Sequence, residues 1–151
     1  MSFEFSYVKF SDLSLAKEVI DFCRSRDSIF QLLRCSSLIS EEQVHIALDM
    51  MDNIKGKVNI TDDGILLMLL LAGTNQIKVA EERVGIRTGY DEYLCVYANR
   101  KDLDEFINIF GRLVNLTQPV LPKKDLSRDT DTFMQLSRAR LMLLNSSAIS
   151  T

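Results

Sequence analysis

The chain has 151 residues, of which 46% are hydrophobic and 26% charged, and its formal net charge is -3. This length and composition are typical of one globular domain with its own hydrophobic core, so we predict a single domain over residues 1–151. The acidic excess disfavours a protein that binds nucleic acid through a broad basic surface, because such surfaces usually give a domain a positive charge. Any contact with nucleic acid would use a local group of side chains.

The cysteines and the first residues predict a reducing compartment. Cys23, Cys35 and Cys95 stand far apart and include no CxxC pair, which indicates buried thiols rather than a disulfide framework. The first residues lack the basic and apolar regions of a signal peptide. We therefore expect a cytoplasmic protein that does not associate with membranes.

The amino-terminal part of the chain predicts a β-α-β unit. Aromatic and polar residues alternate over residues 3–10, which is the period of a half-buried strand. A helix follows, capped by Ser11 or Asp12 and reaching Arg24, with apolar residues at helical spacing. Residues 29–39 are predicted to form the second strand.

Residues 40–86 predict three helices in close succession, which form one helical module. The first starts at Ser40, where the capping box Ser-x-x-Gln is complete. The second contains eight consecutive apolar residues, 65–72, and the third lies between Gly73 and Gly85. A helix that is apolar on all sides is buried on all sides, and this run is too short for a bilayer, which needs about 20 residues. We call the second helix the leucine rod and expect other elements or a partner to cover it.

The rest of the chain predicts a second β-α-β unit and a final helix. Residues 90–98 form a nearly continuous apolar run typical of a buried strand. A helix capped by Asn99 or Asp102 and a short strand within residues 113–120 follow. A last helix starts at Asp129 or Thr130, and we expect residues 146–151 to form a mobile tail.

The predicted fold class is therefore α+β. Two β-α-β units form one four-stranded mixed sheet, with an inserted three-helix module at about residues 40–86 and a C-terminal helix. We find no internal repeat in the sequence and no low-complexity segment.

No residue pattern in the sequence indicates catalysis. The single histidine, His45, has no cysteine at metal-ligand spacing, and the known phosphate-binding, metalloprotease and nucleophile motifs do not occur. The carboxylate pairs at residues 41–42 and 62–63 stand at predicted helix starts, where the helix dipole alone accounts for them. We predict a protein that is not an enzyme and that uses no metal and no cofactor.

An ordered set of segments resembles a known family. The segments are ISEEQVHIA at residues 39–47, LLAGTNQI at 70–77, AEERVGI at 80–86 and the strand YLCVY at 93–97. Together they resemble the small regulatory subunit of the KEOPS complex, the family of the PRPK-binding protein. The resemblance covers nearly the whole chain, from the first strand to the final helix.

The resemblance implies an accessory, non-catalytic subunit. It implies that the protein binds the small atypical protein kinase of KEOPS, and through it the other KEOPS subunits. It also implies that the protein recruits tRNA through the single-stranded 3′ CCA end for threonylcarbamoyladenosine modification. A single-stranded end can be held by stacking and a few cations, which suits an acidic chain. The family's Arg-Thr pair before the apolar helix is replaced here, which implies that its contact is lost or moves to Lys55 or Lys57.

The expected site residues follow from this resemblance and from the apolar stripes of the module. We expect the kinase to bind at Val44, Leu48, Met51, Val84 and Ile86. We expect tRNA to bind at Lys57, Asn75, Gln76, Ile77, Arg138 and Arg140. Arg138 and Arg140 lie about 200° apart around the last helix, so only one of them can point into a given groove.

A function of another class is also compatible with the sequence. Paired β-α-β units can hold a metabolite between sheet and helices, and fold alone does not decide function. The alternative is therefore a small metabolite-binding regulatory α+β domain, which would respond to a metabolite and form no stable protein complex.

Overall fold

A computed structural model describes residues 2–122 and 129–145 of the chain. Within these residues it contains four β-strands, six α-helices and one 3₁₀ helix at Cys35–Ser37. The strands are β1 (Glu4–Phe10), β2 (Phe30–Arg34), β3 (Glu92–Tyr97) and β4 (Val114–Thr117). The helices are α1 (Ala16–Arg24), α2 (Glu41–Ile54), α3 (Asp63–Ala72), α4 (Ile77–Val84), α5 (Arg100–Phe110) and α6 (Thr130–Asn145).

The chain divides into two compact units. The sheet unit comprises Met1–Ser37 and Gly85–Val120, and the helical unit comprises Leu38–Val84 and Leu121–Thr151. The helical unit contains the three-helix module that the sequence predicts and also α6, since α6 contacts α2 and α3. The prediction of one domain over residues 1–151 stays a prediction.

The four strands form one sheet in the order β2-β3-β1-β4. All three pairs of neighbouring strands are antiparallel. The strands β1 and β2 therefore run parallel to each other with β3 between them, and β3 and β4 run parallel with β1 between them. Two β-α-β units interlocked in this way form the split arrangement of ferredoxin-like folds.

The predicted fold class is confirmed, with one correction. Both β-α-β units, the inserted helical module and the C-terminal helix are present. Within the described residues the sheet is antiparallel and not mixed. The two strands of each β-α-β unit lie on either side of one strand from the other β-α-β unit. The expected mobile tail at residues 146–151 lies outside the described residues.

Two predicted boundaries also differ. The first helix starts at Ala16, because the Asp12 carboxylate accepts a hydrogen bond from the Ser14 N–H at 2.8 Å and forms a turn before it. The second strand ends at Arg34, because the Ser37 hydroxyl donates to the Arg34 carbonyl at 2.7 Å within the 3₁₀ turn that follows.

The core of the sheet unit combines aromatic with aliphatic side chains from the sheet and from the helices α1 and α5. The rings of Phe22 and Phe106 each lie 5.2 Å from the ring of Phe30, measured between centroids, and Phe110 lies 5.2 Å from Phe106. Such separations are typical of favourable aromatic pairs. This packing fixes α1 and α5 on one face of the sheet.

Local capping interactions set the helix starts in the helical unit. The Ser40 hydroxyl accepts a hydrogen bond from the Gln43 N–H, and the Gln43 side chain accepts one from the Ile39 N–H at 2.7 Å. The Asp62 carboxylate accepts the Ile65 N–H at 3.0 Å and starts α3. These contacts satisfy amide groups that have no partner inside their helix. The predicted helix start at Ser40 is confirmed, although the Gln43 side chain bonds to the Ile39 N–H and not to the Ser40 N–H, as it would in a capping box.

The leucine rod is α3, and it is buried on every side, as its composition predicts. Residues 66–72 are between 0 and 3% exposed, and α2, α4 and α6 contact the helix. The rod ends at Gly73, whose φ of 70° lies in the left-handed region that favours glycine. The rod therefore holds the three other helices of its unit together.

Replacing Leu69 by alanine tests whether the rod is the core of the helical unit. Leu69 is 0% exposed, so Leu69→Ala should lower the free energy of unfolding by about 2–5 kcal/mol through a cavity. Leu141→Ala is the control, because Leu141 is 54% exposed, and it should cost less than about 0.5 kcal/mol. Urea titration measures both values. A loss below about 1 kcal/mol for Leu69→Ala would contradict the core assignment.

Candidate functional site

A cavity of about 300 Å³ lies in the helical unit where the rod ends, beside α4 and the first half of α6. We call it the rod-end pocket. Its volume is at the lower end of the range of small-molecule sites, so it can admit one small group and not a helix or a duplex. Its lining residues are Ala72, Gly73, Arg83, Asp131, Met134, Gln135 and Arg138.

Two of the lining side chains hold the carboxyl end of the rod. Arg83 Nη1 donates a hydrogen bond to the Ala72 carbonyl at 2.9 Å. Gln135 Nε2 donates to the Leu71 carbonyl at 3.2 Å. The last carbonyls of a helix have no partner within it, and a guanidinium also suits the negative end of the helix dipole. Arg83 and Gln135 are therefore fixed at the pocket wall by their structural role.

Gly73 brings the main chain close to α6 at the same place. A Cβ atom built on Gly73 would lie 3.0 Å from Gln135 Cγ, and its positive φ already disfavours other residues. The absence of a side chain therefore keeps the Gln135 amide against the rod and leaves the backbone at Gly73 accessible from the pocket.

The remaining lining residues lie on one face of α6. Asp131, Met134 and Arg138 follow at helical spacing, and all three are exposed. Asp129 accepts a hydrogen bond from the Thr132 N–H at 3.0 Å and starts the helix. Among the described residues, the lining includes two guanidinium groups and one carboxylate.

Arg138 is the one predicted tRNA-binding residue that lines the pocket. Asn75 and Gln76 lie in the turn that follows Gly73, and Ile77 is the first residue of α4. Asn75 and Ile77 are half-buried and Gln76 is exposed. These three residues are close to the pocket in sequence, but they do not line it.

Arg140 points inward. The residue is half-buried, and within the described part of the chain its Nε atom is buried without a hydrogen-bond partner. Ala139 and Leu143, which neighbour it on α6, are buried in the helical unit. Its aliphatic stem therefore covers apolar surface. Its predicted role in tRNA binding stays a prediction.

The two lysines before the rod differ in their surroundings. Lys55 Nζ lies 2.8 Å from Asp63 Oδ2, so it forms an ion pair with the first residue of α3. Lys57 is exposed just beyond the end of α2. Of the two positions to which the family contact could move, Lys57 has its ammonium group in solvent.

The predicted kinase-binding residues are largely core residues, and their role in kinase binding stays a prediction. The four that belong to the helical unit are at most 3% exposed, because the apolar stripe of an amphipathic helix packs inward. Ile86 is half-buried and packs against the aromatic core of the sheet unit. A partner that docks on the folded surface does not touch such side chains. The four buried residues are Val44, Leu48, Met51 and Val84.

An apolar stripe lies instead on the exposed side of α6. Four large apolar side chains there are between 38 and 54% exposed. At 100° per residue they fall within about 100° of the helix circumference. Exposed contiguous apolar surface is typical of a protein interaction site. We call this the α6 stripe, and it consists of Phe133, Met134, Leu141 and Leu144.

We also searched the described residues for metal-binding groups and reactive thiols. They include no group of three or more His, Cys, Asp and Glu side chains that could hold a metal ion. Burial, together with the smaller effect of the nearby Glu92 carboxylate, raises the pKa of the Cys35 thiol to about 12. Burial also raises the pKa of Cys95 well above its ordinary value. Since the thiolate is the reactive form, these cysteines are poor nucleophiles.

Over residues 2–122 and 129–145, no helix is both long enough and apolar enough to cross a membrane. In comparisons with known proteins, the sequence matches no protein-family model and no curated protein. The KEOPS family therefore stays an expectation from the ordered segments, to be weighed with the pocket and the α6 stripe.

Sequence reasoning missed four of the pocket residues that carry polar or exposed apolar groups. A signal for three of them was available, because Asp131, Met134 and Gln135 precede Arg138 by seven, four and three positions on one helix. Arg83 comes from another helix, and no local pattern connects it to α6. Its position follows only from how α4 and α6 pack against the rod.

Alkylation of the cysteines tests the buried-thiol assignment. At pH 8 the raised pKa values keep Cys35 and Cys95 protonated in the folded protein, whereas unfolded thiols ionise with a pKa of about 8.5. Iodoacetamide should therefore label the native protein very slowly and all three cysteines rapidly in urea. Mass spectrometry counts the labels. Rapid native labelling of Cys35 would contradict the assignment.

Proposed function

We propose that this protein is an accessory, non-catalytic subunit of KEOPS. In this role it binds the small atypical kinase of the complex and recruits tRNA by its single-stranded 3′ CCA end for threonylcarbamoyladenosine modification. The observation that supports the proposal most is that α6 contributes both to the rod-end pocket and to the α6 stripe. An adaptor needs two such surfaces, one for RNA and one for protein.

The pocket has the features that a single-stranded RNA end requires. Exposed Arg138 offers a cation for one phosphate, which is the group that most protein–nucleic acid hydrogen bonds reach. The exposed side chain of Met134 offers apolar surface against which a base can pack. A single nucleotide needs only a few cations, whereas a duplex would require a broad basic surface.

The α6 stripe suits the kinase contact better than the residues predicted from sequence. Leu141 is 54% exposed and Leu144 is 39% exposed, so a partner could bury them without any change in the core. A few residues near the centre of an interface, which the partner fully desolvates, carry most of the binding energy. We therefore place the proposed kinase contact on the α6 stripe, beside the pocket and on the same helix.

Reversing the charge of Arg138 tests the RNA contact. The single variant is preferable to one that also changes Arg140, because Arg140 is half-buried and its replacement would perturb the fold. Arg138→Glu should weaken binding of intact tRNA by about tenfold or more. It should also lower the slope of log affinity against log salt by about 0.7, the value for one lost single-strand phosphate contact.

The control for this test is Arg112→Glu, which makes the same charge change at an exposed position of the sheet unit. It should leave tRNA affinity within about twofold, since long-range charge effects are screened at physiological salt. Gel-shift titrations at several salt concentrations measure both variants. Equal losses in the two variants would mean that the effect is general charge and not the pocket.

A charge placed on the α6 stripe tests the kinase contact. Leu141→Glu should abolish co-purification with the KEOPS kinase. The new carboxylate would be buried in the interface and would lose its hydration without gaining a hydrogen-bond partner. Leu116→Glu is the matched control, since Leu116 on β4 is 53% exposed. Circular dichroism should be unchanged in both. If Leu141→Glu still co-purifies with the kinase, the contact lies elsewhere.

A further inference from the structure

We propose that β4 pairs with the β4 strand of a second copy of this chain, so that two sheets join edge to edge around a twofold axis. Among the strands of the described residues, β4 has β1 as its one neighbour. An edge strand presents a row of backbone N–H and C=O groups to which another strand can bind. This pairing uses the sheet unit alone and does not depend on the proposed role in KEOPS.

The hydrogen bonds to β1 determine which backbone groups of β4 face the open edge. The Ser11 N–H donates to the Leu113 carbonyl at 2.8 Å, and the β1–β4 pairing continues in register from there. Hydrogen-bonded pairs recur at every second residue of an antiparallel ladder, so Asn115 also turns its backbone groups toward β1. The residues on either side of it, Val114 and Leu116, therefore turn theirs toward the open edge.

The open edge carries no charge. Residues 113–122 contain no charged side chain, although 26% of the whole chain is charged. Exposed edge strands commonly carry charged side chains that prevent pairing with another chain, and others are covered. At the other edge of the sheet, all five residues of β2 are buried. In β4, by contrast, Asn115 is exposed and Leu116 is 53% exposed, so this edge is accessible to an uncharged strand.

A twofold axis at Asn115 makes β4 complementary to its own copy. In an antiparallel pair centred there, Val114 of each copy lies opposite Leu116 of the other, and the two Asn115 residues lie opposite each other. The outward groups of Val114 and Leu116 would then form about four hydrogen bonds across the edge. The two Asn115 amides would also meet, and an amide both donates and accepts. Such self-complementarity is what a twofold interface requires.

The side chains on the helix side of the sheet also favour a second copy. Leu116 lies opposite Val8 in the register, and Val8 belongs to the core that includes residues of α1 and α5. Pairing would therefore place the exposed Leu116 of each copy beside Val114 of the other, on the side of the sheet that the helices cover. A partner strand with charged side chains would find no opposite charge within residues 113–122.

Sedimentation equilibrium of the full chain tests for the dimer. One short strand gives an interface smaller than the roughly 800 Å² per partner of stable complexes, so the association should be weak. We expect monomer at about 1 μM and a clear dimer fraction at about 500 μM. Leu116→Lys would bring two like charges together at the edge and should weaken the dimer at least about tenfold. Leu141→Lys, at a residue that is 54% exposed on α6, is the matched control and should leave dimerisation unchanged.

A disulfide tests the register of the pairing. With the axis at Asn115, the two Cα atoms of this residue would be about 4.5 Å apart, which a disulfide can bridge. Asn115→Cys should therefore form a covalent dimer under mild oxidation. Thr117→Cys is its control, because the two copies of this position would be displaced by roughly 13 Å along the strands, beyond disulfide reach. The three native cysteines are buried and should add little background.

Each outcome supports or overturns the pairing. A dimer that Leu116→Lys weakens, together with faster cross-linking of Asn115→Cys than of Thr117→Cys on a non-reducing gel, supports it. A parent chain that stays monomeric at about 500 μM, or equal cross-linking of the two cysteine variants, overturns it. A dimer weakened by Leu141→Lys and not by Leu116→Lys also overturns it. Circular dichroism checks that each variant keeps the fold, and none of these results bears on the proposed function.

Discussion

The helical unit depends on the burial of one helix that has no polar face. Because α3 is apolar all round, it must be covered on every side, and the inserted module contributes only α2 and α4 to its cover. The third neighbour is α6, which follows the second β-α-β unit in sequence. The core of this unit is complete only when the end of the chain returns to it. Burial of the rod is therefore what places Arg138 beside Gly73.

The rod-end pocket arises from the same constraint. A buried helix must still satisfy the carbonyl groups at its carboxyl end. Arg83 and Gln135 do so for Ala72 and Leu71. The side chains of Arg83 and Gln135, which stabilise the end of α3, thus place polar groups where the backbone turns at Gly73. A change at Arg83 or Gln135 would therefore affect stability as well as binding. Arg138 and Asp131 are the better positions at which to test binding alone.

Much of the fold could be predicted from the sequence because its signals are local. Ser40 and Asp62 start helices through contacts three residues away, and Gly73 ends the rod through its own backbone conformation. The antiparallel order of the strands could not be predicted, since it depends on pairing between distant segments. The residues of the candidate site were harder to predict than the fold. Apolar positions such as Val44 look alike whether they face a core or a partner, and only burial distinguishes them from Leu141.

The central claim is that the protein recruits tRNA by its single-stranded 3′ end. The most direct measurement compares the affinity of the unmodified protein for intact tRNA and for the same tRNA lacking CCA, at one salt concentration. Base packing against a protein surface contributes about 1–3 kcal/mol per base, so the intact tRNA should bind at least about tenfold more tightly. Equal affinity for the two RNAs would contradict recognition of the end.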